Sequence, residues 1–144
     1  MIPGEAKLSG TMRAFSDEVR ALMRERMHAI CAGMAAAFQV EIDVDIRDIF
    51  GVLVNQEEHS SVVAEVAKTV VGASNVKTRA QPKMGSEDFA DMLQAVPGAY
   101  FWLGHDGSVP VHNPAFTLDD KILPVGASMF ARIIEARLPA GRHA

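Results

Sequence analysis

The stretch that decides the fold covers residues 16–47 and reads SDEVRALMRERMHAICAGMAAAFQVEIDVDIR. Ser16 is a favourable N-cap, and the two acids that follow it put negative charge in a first helical turn. Apolar residues then recur at helical spacing from Val19 to Phe38, which predicts one long amphipathic helix. Residues 40–46 alternate branched apolar and acidic side chains, which predicts a strand with one buried face.

A second strand is predicted just before this helix. Residues 7–15 alternate roughly between small or apolar and polar side chains, as a strand with one covered face does. The result is a strand, a long helix and a strand, which resembles half of a split βαβ sandwich. Two strands make a marginal sheet, so this unit needs further strands to be stable.

The pattern changes after Asn55, where helices and strands are predicted to alternate. Gly and Pro mark the ends of the segments, and a continuous apolar run is typical of a strand buried on both faces. In chain order we expect a helix from Glu57 to Gly72, a short strand at 75–79, a short helix capped by Ser86, a strand at 99–103, a loop at 104–116 and a last helix after Asp120.

Composition excludes several classes of protein. The 144 residues carry a formal net charge of -4 and no basic stripe, so nucleic-acid binding has no electrostatic support. Cys31 is the only cysteine, which excludes an intramolecular disulfide. No apolar run is long enough to span a bilayer and no signal peptide is recognisable, so we expect no membrane association and a cytoplasmic location.

The loop at 104–116 is the best candidate for chemistry, because it follows a predicted buried strand and holds two histidines. His105 and His112, with Asp106, Glu87 and Asp88, are the only plausible local metal ligands. A zinc or manganese site needs about three or four ligands, and no paired histidines one helical turn apart are present. From these residues alone, solvated loop histidines and a metal ligand both stay open.

Nucleophilic catalysis has less support. Ser86 lies in KMGSED at residues 83–88, without the glycine pattern of a nucleophile elbow, and helix capping explains it well. Cys31 falls within the predicted long helix, close to the apolar stripe, where a buried and inert thiol is expected.

Four strings resemble one family of enzymes. They are IPGEAKLSGTMR at 2–13, MGSEDF at 84–89, PGAYFWLG at 97–104 and VHNPAF at 111–116. In this order they resemble segments of the aminoacylase-type metallopeptidases, which include hippurate hydrolases and N-acyl amino-acid amidohydrolases. The strings together cover nearly the whole chain.

The resemblance implies an α/β fold with an α+β lid piece. Residues 1–54 would be the second half of a ferredoxin-like lid or dimerisation domain. Residues 55–144 would be the C-terminal part of a two-metal, aminopeptidase-like α/β catalytic domain. This would explain why the strand, helix and strand at 7–46 lack partners.

The resemblance also assigns candidate site residues. His112 matches the family's last metal ligand. No catalytic residue is carried over, because the other ligand motifs of the family have no match in this chain. The remaining matches are substrate-binding positions (Thr11, Arg13 and Asn55) and positions lining the metal cleft (Gly85, Ser86, Glu87 and Asp88).

The implied activity is metal-dependent hydrolysis of the amide bond of N-acyl or N-aroyl amino acids such as hippurate. The family uses two divalent metal ions, which would be zinc, manganese, cobalt or nickel, and this chain would supply at most one weak site. A homodimer formed through the lid is implied as well. We expect the chain to be inactive alone; the alternative is a non-catalytic remnant or a lid-mediated interaction module.

Overall fold

The computed structural model describes residues 3–107 and 109–138. Within these ranges the regular structure is helical: α1 (Asp17–Phe38), α2 (Glu57–Val71), α3 (Phe89–Ala95) and α4 (Ile122–Arg137), with a short 3-10 helix (Ala73–Asn75) after α2. The predicted helices in these four places are therefore confirmed. None of them is long and apolar enough to cross a membrane.

Capping sets both ends of α1, and the N-cap at Ser16 is the one that the sequence predicts. The Oγ atom of Ser16 accepts a hydrogen bond of 3.2 Å from the backbone N–H of Val19. This bond satisfies one of the N–H groups that have no partner within the helix. At the other end Gln39 takes a left-handed conformation, with φ at 55°, and its N–H donates to the carbonyl of Ala35. That turn ends the helix.

Local residues also mark the end of α2 and the start of α4. Gly72 follows α2 with φ at 83°, a conformation in which glycine avoids the strain of a Cβ atom. Before α4, the Asp119 carboxylate accepts a 3.0 Å hydrogen bond from the Lys121 N–H. Pro124 lies in the first turn of α4, where its missing N–H costs no helical bond. The short helix α3 starts at Phe89, three residues after the predicted Ser86 cap.

The predicted strands are not formed within the described residues. Segments 7–15, 40–46 and 99–103 contain no hydrogen-bonded strand, and the 3-10 helix takes up the start of the predicted strand at 75–79. A strand is defined by a ladder of hydrogen bonds to a neighbour, and alternation in sequence does not provide that neighbour. The strand predictions are therefore wrong for this chain as it folds here, and the ferredoxin-like lid is not confirmed.

The chain divides into two compact units that are discontinuous in sequence. The first comprises Met1–Leu53 and Pro82–Asp91, and the second comprises Val54–Gln81 and Met92–Ala144. The predicted division into domains at 1–54 and 55–144 stays a prediction.

Packing in the second unit centres on α2 and α4. Val66 of α2 and Met129 of α4 are buried, and the two helices lie in contact. The run at 99–103 contacts α4, where the centroids of the Phe101 and Phe130 rings are 6.0 Å apart. These contacts give the segment before the predicted loop a fixed position on the helix pair.

The first unit exposes most of its long helix. No residue of α1 is buried, and Ile30 and Phe38 are 64% and 67% exposed. The apolar stripe that predicts α1 therefore has no sheet covering it among the described residues. Polar contacts attach the following segment: Arg20 donates a 2.8 Å hydrogen bond to the carbonyl of Phe50, and Arg24 forms an ion pair with Asp48.

Candidate functional site

His112 occupies a tight turn in the second unit. The N–H of Asn113 donates to the carbonyl of Pro110 at 3.3 Å, which places His112 at the third position of a four-residue turn. Its φ is 69°, in the left-handed region. A Cβ atom costs energy in that region, so glycine would suit the third position of the turn better than histidine. The imidazole is exposed.

The backbone immediately after His112 is held by local hydrogen bonds. The side-chain oxygen of Asn113 accepts from the N–H of Ala115 at 2.9 Å, and its carbonyl accepts from the N–H of Phe116 at 2.9 Å. Asparagine closes turns in this way by replacing a backbone acceptor with its own side chain. The His112 segment is therefore an ordered double turn. Ser108 of the predicted loop lies outside the described residues.

His105 is half-buried and makes two contacts. Its Nδ1 atom accepts a 3.0 Å hydrogen bond from the N–H of Gly107. Its ring meets the ring of Phe116 edge to face, with centroids 5.5 Å apart and planes at 78°. Nδ1 is therefore the acceptor in this contact, and the contact selects one orientation of the ring.

Asn55, predicted to bind substrate, is bonded to the backbone of Tyr100. Its Nδ2 donates to the Tyr100 carbonyl and its Oδ1 accepts the Tyr100 N–H, both at 2.7 Å. Next to it, the N–H of Gln56 donates to the carbonyl of Gly98 at 3.2 Å. The Asn55 amide thus takes the place that a neighbouring strand residue would occupy. Its substrate-binding role stays a prediction.

The other predicted site residues lie in the first unit. Thr11 and Arg13 are exposed, as are Gly85, Ser86 and Asp88, whereas Glu87 is half-buried. The carbonyls of Glu87 and Asp88 accept hydrogen bonds from Ala90 and Asp91 at the start of α3. These contacts give Glu87 and Asp88 a structural role at the start of α3. The cleft-lining role of residues 85–88 stays a prediction.

Sequence reasoning missed two of these arrangements. The pairing of Asn55 with Tyr100 spans 45 residues, and no local sequence pattern predicts it. The contact of His105 with Gly107 has a weak signal, because a glycine two positions after a histidine leaves room for the ring. A Cβ atom at 107 would lie 2.7 Å from Nδ1 of His105, closer than real contacts allow.

The described residues do not fit a complete metal centre. Among them, no three or more His, Cys, Asp or Glu side chains come together in a way that could hold an ion. Stable zinc sites need at least three protein ligands. His112 is thus at most one ligand of such a centre, and we derive no catalytic step through a metal for this chain.

Over residues 3–107 and 109–138 the structure is a helical piece in which His112 lies on a turn and no metal centre is assembled. Sequence comparison identifies its class. Residues 4–136 match the model of Peptidase family M20/M25/M40. The chain belongs to this family, which confirms the resemblance on which the predicted roles depend.

Curated relatives of the chain are hydrolases by name. Hippurate hydrolase of Campylobacter jejuni is 32% identical over 92% of this chain and 35% of the relative. N-acetylcysteine deacetylase of Bacillus subtilis is 31% identical, over 92% of this chain and 34% of the relative. Thermostable carboxypeptidase 2 of Saccharolobus solfataricus is 32% identical, over 88% and 33%. The chain spans about a third of their length. No solved structure matches it.

Proposed function

We propose that this chain forms part of an amidohydrolase that cleaves the amide bond of N-acyl or N-aroyl amino acids. The match of residues 4–136 to the peptidase family carries this proposal. Two relatives are named for hippurate and N-acetylcysteine, in which an acyl group is joined to the amino group of an amino acid. Their shared chemistry is amide hydrolysis, and their acyl groups differ.

We further propose that the 144 residues are inactive alone. The matched segment is 35% of the length of hippurate hydrolase, and the described residues bring no set of metal ligands together. A catalytic metal site depends on several preplaced ligands, and one imidazole does not provide them. The activity therefore requires metal ligands from residues other than these 144.

His112 is proposed as the ligand that this chain contributes. The motif resemblance assigns it, and the left-handed φ of 69° supports the assignment. Backbone strain of this kind is retained where the surroundings fix it, and it is frequent at functional sites. An exposed imidazole on an ordered turn can reach a metal held by other residues.

A chimaera tests this function. In hippurate hydrolase of Campylobacter jejuni, the segment that this chain matches is replaced by residues 4–136. Release of glycine from hippurate is then measured with zinc, manganese, cobalt or nickel. We expect turnover by the chimaera, none by the isolated chain, and none after His112→Ala. His28→Ala, which removes an exposed histidine of α1, is the matched control and should retain turnover.

Two results would contradict the proposal. One is metal-dependent turnover by the purified 144-residue chain that disappears on His112→Ala. The other is a chimaera that unfolds cooperatively, as the parent does, and yet cleaves no N-acyl amino acid. The same exchange in N-acetylcysteine deacetylase provides a second background in case the first does not fold.

The alternative is a non-catalytic interaction module, and the exposed apolar face of α1 favours it. Leu22, Ile30 and Phe38 are each more than half exposed on that helix. Sedimentation at several concentrations tests the implied self-association through the lid segment. Concentration-dependent dimers that require α1 would support it, and a compact monomer at all concentrations would contradict it.

The cytoplasmic location stays a prediction.

A further inference from the structure

We propose that His105 is a positioning residue that holds the turn presenting His112. This inference rests on the proposed function, because it gives the His112 turn its purpose. His105 itself is assigned no ligand role. Its two contacts, with Gly107 and with Phe116, lie on either side of the His112 turn in sequence.

The first contact fixes the orientation of the His105 ring. A histidine ring can turn about its side-chain bonds unless a polar partner selects one orientation. The N–H of Gly107 provides that partner by donating to Nδ1 at 3.0 Å. Gly107 can approach so closely because it lacks a Cβ atom, which would overlap the ring. The ring of His105 and the backbone of Gly107 therefore fix each other's position.

The second contact carries this orientation to the His112 turn. The oriented ring meets Phe116 edge to face at 5.5 Å, an arrangement that aromatic pairs prefer. The N–H of Phe116 in turn donates to the carbonyl of Asn113, the residue directly after His112. Three consecutive contacts thus link Gly107 to the strained turn.

The strain at His112 explains why such support is needed. A left-handed non-glycine residue relaxes to a common conformation unless its surroundings hold it. The hydrogen bonds of Asn113 close the turn locally, but they do not attach it to anything else. The ring of His105 provides an attachment outside the turn itself.

Nuclear magnetic resonance of the 144-residue chain tests the proposal without any metal. Long-range proton–nitrogen correlations report which ring nitrogen of His105 carries the proton; we expect Nε2. His105→Ala should shift the amide signals of His112, Asn113 and Phe116. Gly107→Ala should shift the same signals, because its methyl group displaces the ring. Asp106→Ala is the matched control and should leave them in place.

The effects of substitutions at His105 and Gly107 should be coupled. In the His105→Ala background, Gly107→Ala should shift the His112 signal no further, because the ring it would displace is absent. His105→Asn is a milder second variant: its Oδ1 can accept from Gly107, so the Gly107 amide stays while Phe116 moves. Unchanged signals from α2 and α4 show that each variant is folded.

The proposal is overturned by a proton on Nδ1 at neutral pH, by His112 and Phe116 signals that ignore His105→Ala, or by additive effects of the two substitutions. These outcomes are independent of the chimaera assay. An inactive chimaera with the predicted couplings would refute the proposed function alone, and an active one without the couplings would refute only the role of His105.

Discussion

The side-chain amide of Asn55 is paired with the backbone of Tyr100 through two hydrogen bonds of 2.7 Å, one in each direction. Residues paired across adjacent strands exchange two bonds in the same way. Because the two residues are 45 positions apart, this pair joins the entry to α2 to the run that packs on α4. Asn55 therefore contributes to the stability of the second unit.

Asn55→Ala should lower the free energy of unfolding by about 1–2 kcal/mol, since it removes two hydrogen bonds to the backbone. Urea denaturation measures the change. Asn75→Ala is the matched control: Asn75 donates a single 2.8 Å bond to the carbonyl of Val71. It should cost about 1 kcal/mol or less. An Asn55 variant as stable as the unsubstituted chain would show that the pair is not maintained in solution.

Replacing the N-cap of α1 tests the capping prediction. Ser16→Ala removes the acceptor of the Val19 N–H and should cost about 1 kcal/mol of helix stability. Ser16→Asp retains an acceptor and should restore most of it. Far-ultraviolet circular dichroism during thermal unfolding measures both variants. Equal midpoints for the alanine and aspartate variants would mean that the cap does not stabilise α1.

The ion pair between Arg24 and Asp48 should make stability depend on pH. The hydrogen bond from Arg24 holds the pKa of Asp48 below its ordinary value of 3.8, and the charges of Arg24 and Arg20 add to the effect. A depressed folded-state pKa contributes stability that is present above the unfolded value and is lost as pH falls through the folded value.

Asp48→Asn should therefore be less stable than the unsubstituted chain at pH 7, and the difference should shrink as pH falls below about 4. Urea titrations at pH 7, 5, 4 and 3 measure it. A difference that stays constant across these pH values would contradict the assigned cause. Because Asp48 is exposed to solvent, added salt should also reduce the difference.

Strain at His112 predicts a gain in stability. His112→Gly should raise the free energy of unfolding by about 0.5–1 kcal/mol, because glycine adopts a φ of 69° without a Cβ clash. His112→Ala retains a Cβ atom and should change stability by less than about 0.5 kcal/mol. A destabilised glycine variant would mean that the imidazole makes contacts that outweigh the strain.

The sequence predicts the helices well because their signals are local. Ser16, the apolar spacing of α1 and Gly72 each act within a few residues, and the structure confirms each of them. The strands fail for the opposite reason: alternation at 7–15 and 40–46 describes a face that a partner could cover, while pairing depends on residues elsewhere. The apolar stripe of α1 is exposed for the same reason, because no sheet forms among the described residues to cover it.

The candidate site is predictable only in part. The four strings at 2–13, 84–89, 97–104 and 111–116 together predict the family, and that assignment is confirmed over residues 4–136. The left-handed turn, the ring orientation of His105 and the amide pair of Asn55 arise from three-dimensional contacts that composition and periodicity do not encode. The substrate-binding roles of Thr11 and Arg13 also depend on three-dimensional contacts, and they stay predictions.

The central claim is that His112 supplies a metal ligand to an amidohydrolase centre completed by residues beyond this set. The most direct measurement is the metal content of the purified hippurate hydrolase chimaera at saturating metal, with and without His112→Ala. We predict that His112→Ala loses bound metal, whereas His28→Ala retains the full stoichiometry. Full metal content in the His112→Ala enzyme would contradict the claim, and loss of metal in the His105→Ala enzyme beside it would assign the ligand to His105.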